Sequence, residues 1–298
     1  MTFFSPSYCP NSESRHLQTA LQFPDVFKPR QEESHKGTFG TLAVIGGTSG
    51  MSGAVVLAAT AAMYTGCGKT WAAFNQPQLP FAVIPERPEV MLATAETLIR
   101  RNDIDAYVVG CGLGLDTQTE HLLSALLTAA RGKPLLLDAD ALTLLAKPSA
   151  IRQQAAEHGK LILTPHPSEA ARLLGISTEA VQSGREHAVQ TISHTFNAVT
   201  VLKGSRSLVA APEQPLYTNT SGNAGLATAG SGDVLSGIIG SLLAQGIPLL
   251  QAAQAGVWLH GAAADLLRDN GIGEAGMLAG EIAPAARWLR NRLIHSSI

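Results

Sequence analysis

A chain of 298 residues, 45% of them hydrophobic, can bury a full core as one large α/β domain or two small ones. Charged residues make up only 15% and the formal net charge is -2, so no basic footprint for nucleic acid is present. No apolar run reaches the roughly 18–20 residues of a membrane span, residues 1–10 lack the basic and apolar regions of a signal peptide, and Cys9, Cys67 and Cys111 have no metal-ligand spacing. These features fit a cytoplasmic protein with no membrane or nucleic-acid partner.

Residues 1–33, rich in Ser, Pro, Asn and Gln, are read as an N-terminal extension with room for a short helix around 16–23. The globular domain is expected over 34–298. From residue 41 strand and helix alternate. A strand over 41–45 runs into a glycine loop at 46–50 and a helix over 51–64, which is half of a βαβ unit. Further strands are expected at 69–74, 105–109, 135–137, 161–163, 199–202 and 208–211. Helices are expected at 119–130, 141–146, 168–174, 178–196, 233–245, 251–267 and 280–293. Several strands are unbroken apolar runs, the pattern of a parallel sheet covered on both faces. Gly, Asp, His or Lys follows strand after strand, and ligands in such sheets lie beyond the carboxyl ends of the strands. With no internal repeat and no long linker, one domain is expected.

Two phosphate motifs fail on inspection. Gly68-Lys69-Thr70 resembles a P-loop tail, but Met63 stands where that motif needs glycine and a strand follows where it needs a helix. Gly110-Cys111-Gly112-Leu113-Gly114 has its third glycine one place early for the dinucleotide fingerprint. The stretch 219–246 is different. Gly222, Gly225, Gly230 and Gly232 crowd a loop that runs straight into an apolar helix, stopped by Gly246 and Pro248. Free N–H groups and the positive end of a helix dipole make such a junction a seat for phosphate. Asp233 stands at that helix start. It is either an ordinary first-turn acid or a carboxylate, kept ionised by the dipole, that takes a proton from a substrate hydroxyl. The glycines before it favour the second reading.

Gly230-Ser231-Gly232-Asp233 resembles the Gly-x-Gly-Asp signature of the ribokinase-like superfamily. Further segments are similar to the ADP/ATP-dependent NAD(P)H-hydrate dehydratases: Ser34-His35-Lys36-Gly37, Gly50-Met51-Ser52-Gly53-Ala54, Leu137-Asp138-Ala139-Asp140-Ala141-Leu142, Leu163-Thr164-Pro165-His166-Pro167-Ser168-Glu169, Val201-Leu202-Lys203-Gly204 and Leu259-His260-Gly261. The likeness keeps this order from residue 34 to the C-terminus. It implies a three-layer α/β/α fold with a mostly parallel central sheet, in a standalone form without the family's epimerase domain. It also implies that ADP or ATP, with Mg²⁺, drives dehydration of NAD(P)H-hydrate to NAD(P)H. Asp233 would be the base, and Ala54, Gly112, His166 and Asp233 would contact the hydrated nucleotide. Lys203, Gly204, Ser205, Arg206, Ser207 and Gly232 would contact the adenine nucleotide. Gly230, Ser231 and Gly232 would form the anion loop, and Glu169 would hold Mg²⁺ through water. The resemblance further implies a homo-oligomer, a tetramer among the options, working alongside a separate epimerase, with ADP as donor.

Bland readings stand beside these. His166 could hydrogen-bond its own turn, Lys203 could be a solvated loop lysine, and Asp140 reads as the N-cap of helix 141–146 rather than a metal ligand alongside Asp138. His35 and Lys36 could close over a nucleotide or anchor the first strand. His260 reads as a packed core histidine, and Cys67 and Cys111 as small buried residues. Cys111 and Ser231 stand where the family commonly has proline and threonine. A small-molecule kinase of the same superfamily and a non-catalytic nucleotide-binding regulator are the competing functions.

Overall fold

The computed structural model describes residues 16–296. The strands are β1 (Thr41–Gly46), β2 (Lys69–Phe74), β3 (Met91–Thr94), β4 (Ala106–Val109), β5 (Leu135–Leu137), β6 (Leu161–Leu163), β7 (Val199–Leu202), β8 (Leu208–Ala210) and β9 (Tyr217–Thr218). They form one sheet in the order β3-β2-β1-β4-β5-β6-β7-β8-β9. Pairing is parallel from β3 to β7 and antiparallel for β8 and β9. The mostly parallel sheet expected from the apolar runs is present.

Helices cover both faces. They are α1 (Ser52–Tyr64), α2 (Ala95–Leu98), α3 (Thr117–Ala129), α4 (Ala139–Leu145), α5 (Ala150–Ala156), α6 (Pro167–Leu174), α7 (Thr178–Ser183), α8 (Arg185–Phe196), α9 (Ser231–Ala244), α10 (Leu249–Asp269) and α11 (Ala279–Ser296). Successive strand residues point to opposite faces, so Leu42 and Val44 join the core under α1, α9, α10 and α11, while Ala43 and Ile45 join the core under α2 to α8. That division makes three layers. Within the first core α1 and α9 touch backbone to backbone: a Cβ built on Gly237 would stand 2.1 Å from the Ala58 carbonyl oxygen.

Several boundaries differ from the sequence reading. The helix expected over 178–196 is broken at Gly184 into α7 and α8. The N-cap of α4 is Asp138, whose carboxylate accepts from the Ala139 amide at 2.9 Å. Asp140 is no cap. The helix begins directly after β5, and the Asp140 carboxylate instead accepts from Gly114 N at 2.8 Å, tying the loop after β4 to α4. β3, α2, α5 and β9 were not foreseen. Cys9 and residues 1–10 lie outside the described residues. Within the segment set apart as an extension, residues 16–20 are helical, and Ala20, Phe23, Val26 and Phe27 are buried in the main core, with Phe27 edge-on to Trp258.

His35 caps the short 3-10 turn Lys36–Phe39, which enters β1 at its amino end, and the Lys36 carbonyl packs on Gly68. Both residues anchor the first strand, at the sheet edge opposite the carboxyl ends. Among the described residues no helix is long and apolar enough to cross a membrane.

Candidate functional site

Chain order reverses between β1 and β4, and such a switch point opens a crevice at the carboxyl edge. The loops after these two strands are stitched together there: Gly47 N donates to Cys111 O at 2.9 Å and Thr48 N to Gly112 O at 2.7 Å. Met51 packs on Gly112, and Ala54 lies one helical step on, in the first turn of α1. Met51, the N-cap of α1, thus brings the start of the helix that carries Ala54 against the loop that carries Gly112.

Asp233 stands in the first turn of α9, as expected, and α9 begins at Ser231 after Gly230. The dipole does not dominate its titration, contrary to the sequence reading. Burial pushes the Asp233 carboxyl up to about 6, and neighbouring Asp138 pushes the same way; the Cys111 thiol, which hydrogen-bonds it, and the Lys203 ammonium act against that rise. A carboxylate poised near neutrality suits proton abstraction better than one at the ordinary value. Cys111 is fully buried, and burial beside Asp233 drives its thiol well up, so it stays protonated as a donor to that carboxylate.

Beneath Asp233 lies a buried polar knot. Lys203 Nζ is 2.6 Å from Asp138 Oδ1, and Ser236 Oγ donates to Asp138 Oδ2 at 2.7 Å. Burial opposes the Lys203 charge, but Asp138 and Glu169 outweigh it and hold the ammonium above its ordinary range. The solvated-loop reading of Lys203 fails, because its side chain is 19% exposed and fixed against the start of α9. His166 N donates to Glu169 Oε2 at 2.8 Å, and the His166 ring accepts from Ser168 N, a reciprocal capping box at the start of α6. The bland reading of His166 is thus satisfied, and the half-exposed ring also lines the cavity described next. Burial, with Lys203 beside it, lowers the His166 pKa and keeps it neutral.

A cavity of about 750 Å³ opens between the turn after β7, the glycine-rich loop and the start of α9. Lys203, Gly204, Ser205, Arg206, Ser207, Ser231 and Gly232, all named from the sequence, line it together with His166. Ala54, Gly112 and Glu169 are not among its lining residues, and Asp233 stands one residue past Gly232. Asp233 thus adjoins the cavity through Gly232 on one side and the switch-point loop through Cys111 on the other. His260 is a buried core histidine, 3.4 Å from Ser231 Oγ, and burial lowers it to about 4. It lines the cavity floor as a neutral ring.

Sequence reasoning missed the supports. Asp265 accepts from Gly222 N at 2.8 Å and Asn223 Nδ2 at 3.0 Å, and Asn219 bonds Ser221, so the glycine loop is pinned from α10. Arg185 lies behind the turn after β7. Glycine spacing marks the loop, but nothing in the local pattern marks these anchors. Among the described residues no group of three His, Cys, Asp or Glu side chains could hold a metal ion. One Glu169 oxygen is committed to His166 N and lies 3.9 Å from Lys203.

The profile of a family described as NAD(P)H-hydrate dehydratase matches residues 42–286. A Neisseria meningitidis protein named ADP-dependent (S)-NAD(P)H-hydrate dehydratase is 60% identical over 98% of this chain and 99% of its own length. A bifunctional NAD(P)H-hydrate repair enzyme of Coxiella burnetii is 40% identical over 94% of this chain, which spans 56% of that relative. Among solved structures, the ADP/ATP-dependent NAD(P)H-hydrate dehydratase of Bacillus subtilis, co-crystallised with ATP/Mg²⁺, superposes with a TM-score of 0.78 at 30% identity, covering 89% of this chain and 94% of that one.

Proposed function

We infer the reaction from one premise: this chain belongs to the NAD(P)H-hydrate dehydratase family. It is a lyase that uses ADP to dehydrate (S)-NAD(P)H-hydrate to NAD(P)H, a repair of the damaged cofactor. The observation that carries this reading is the Asp233 carboxylate, raised to about 6, at the junction of the cavity and the switch-point crevice.

The hydrated ring carries a hydroxyl, a poor leaving group. With the adenine nucleotide in the cavity along residues 203–207 and the start of α9, and the hydrated ring in the crevice by Ala54 and Gly112, Asp233 takes the hydroxyl proton as that oxygen attacks the terminal phosphoryl group. AMP leaves, and the substrate oxygen is now a phosphate ester. The ring nitrogen lone pair expels phosphate, a proton is lost from C5, and NAD(P)H results. The Gly230–Gly232 loop, the α9 dipole and the Lys203 ammonium stabilise charge on the phosphoryl group in transfer. Mg²⁺ would come with the nucleotide's phosphates, with Glu169 holding it through water, and would offset negative charge on those phosphates. We also propose that the protein assembles as a homo-oligomer and that it acts in the cytoplasm beside a separate NAD(P)H-hydrate epimerase. Light scattering of the purified protein tests the first.

The decisive assay mixes the protein with hydrated NADH, Mg²⁺ and either ADP or ATP and follows the reduced-nicotinamide absorbance. Recovery with ADP is expected. Recovery with ATP alone would correct the donor, and no recovery with either, alongside ATP consumption with a thiazole, pyrimidine or sugar alcohol, would make the protein a kinase. Asp233→Asn should lose turnover by roughly 10²–10⁴-fold, the usual worth of a general base, while ADP binding persists. Intact turnover would remove Asp233 from the mechanism.

A further inference from the structure

Arg185 opens α8 immediately behind the turn that follows β7, and among the described residues every polar contact of its guanidinium is to an uncharged oxygen. It donates to the carbonyls of Leu202 at 3.3 Å, Lys203 at 3.5 Å and Arg206 at 3.4 Å, and to Gln182 Oε1 at 3.4 Å. The fit is close: a Cβ built on Gly204, whose φ is +144°, would stand 2.8 Å from a guanidinium nitrogen, so only glycine lets the group seat. Arg185 itself does not line the cavity; the turn it holds does.

In a trans peptide the carbonyl and the next N–H point in opposite directions. Carbonyls of Lys203 and Arg206 turned back onto Arg185 therefore send the N–H groups of Gly204 and Ser207 forward, on the cavity side. Among the described residues the amides of Gly204, Ser205, Arg206 and Ser207 donate to no protein acceptor, whereas the preceding amide, Lys203 N, is committed to Pro165 O at 2.8 Å. With Gly204 at φ +144° and Arg206 at φ +58°, the turn departs from any repeating backbone, and its amides stand without protein acceptors beside the cavity they line. Such a run seats an anion. A guanidinium on its rear side adds positive charge without occupying the seat.

We propose that Arg185 is the positioning residue of the nucleotide site: it holds the 203–207 turn with its amides facing the cavity, and so makes that turn a seat for the phosphate oxygens of the adenine nucleotide. This rests on the reading that the cavity takes that nucleotide. A side chain that merely supported the pocket's shape would favour the nucleoside and the nucleotide alike. A side chain that orients amides toward phosphate favours only the nucleotide.

Calorimetry with ADP, and displacement of ADP by adenosine, separates the two. Arg185→Ala should weaken ADP by about tenfold or more, since several charge-backed hydrogen bonds are lost, while adenosine changes by less than about twofold. In the hydrate assay the loss should fall on KM for ADP, with KM for the hydrate unchanged. Arg185→Lys keeps the charge but cannot fork across three carbonyls, so its ADP affinity should lie between the two. It also answers the question if the alanine variant does not fold. Equal losses for adenosine and ADP, or wild-type ADP affinity in either folded variant, would overturn the proposal. Failure of the wild-type protein to restore hydrated NADH would sink the reaction reading and leave ADP affinity still able to judge Arg185.

Discussion

At the scale of single residues, titration separates Asp233 from its neighbours. A base with a pKa of about 6 must be ionised to act, so kcat/KM should fall as pH drops through 6, one decade per unit, and be level above it. A limb near pH 4 would mean that the working base is a different carboxylate. The same burial makes the ionised side chain unfavourable in the folded protein, because its folded pKa lies above the unfolded value and stability falls as pH rises past about 4. Asp233→Asn should therefore melt at a higher temperature than the wild type at pH 7, an exchange of stability for chemistry. His260 works in the other sense. Its folded value of about 4 lies below the unfolded value near 6.5, so stability is lost as pH falls from 6.5 toward 4. His260→Gln should flatten that part of the stability curve, and an unchanged slope would show that other groups govern it.

At the scale of elements, glycine carries more than loop flexibility. Alanine in place of glycine inside a helix ordinarily gains about 1 kcal/mol. At Gly237 the added Cβ would meet the Ala58 carbonyl oxygen at 2.1 Å, and a backbone atom cannot swing aside as a rotamer can. Overpacking typically costs about 1–3 kcal/mol, so Gly237→Ala should be destabilising on balance in urea unfolding. Gly280→Ala in α11, with nothing nearer than Leu57 Cδ2 at 4.0 Å, should be neutral or slightly stabilising. A stabilised Gly237→Ala would mean that α1 and α9 are not held this tightly. Legibility also belongs to this scale. β5, β6 and β7 could be read because strands buried on both faces are unbroken apolar runs. β3 could not, since Met91–Thr94 follows a stretch of prolines and charged residues, and two-residue β9 is set only by its pairing with β8. The glycines and Asp233 were visible as local patterns. The Asp138–Lys203 pair joins positions 65 apart, and Arg185 reaches carbonyls 17 to 21 positions away, so no local pattern announces them.

At the scale of the whole molecule, Arg290 gathers three segments at the edge opposite the candidate site. Arg290 of α11 donates to Val26 O, Thr65 O and Gln245 Oε1, joining the N-terminal segment to the far ends of α1 and α9. Burial, with Arg30 nearby, lowers its pKa to about 10, which leaves it charged at neutral pH. Those two helices carry Ala54 and Asp233 at their other ends. Arg290→Met should cost on the order of 1–3 kcal/mol for acceptors left unpaired and speed proteolysis between residues 26 and 36. KM for ADP should stay level, because the cavity is at the other edge; a rise in KM would mean that the clamp reaches the site.

The contact of α1 and α9 through Gly237 bears on how the protein can change over evolutionary time. The proposed base Asp233 and the proposed ring contact Ala54 sit on two helices packed backbone to backbone, while residues 204–207 and the loop at 219–228 are separate pieces of chain laid against them. Reaction and donor choice are then inherited as separable modules. Grafting the two loops from an ATP-using relative should transfer donor preference while leaving the pH profile of the dehydration untouched. A chimera that shifts both would show that the modules are one.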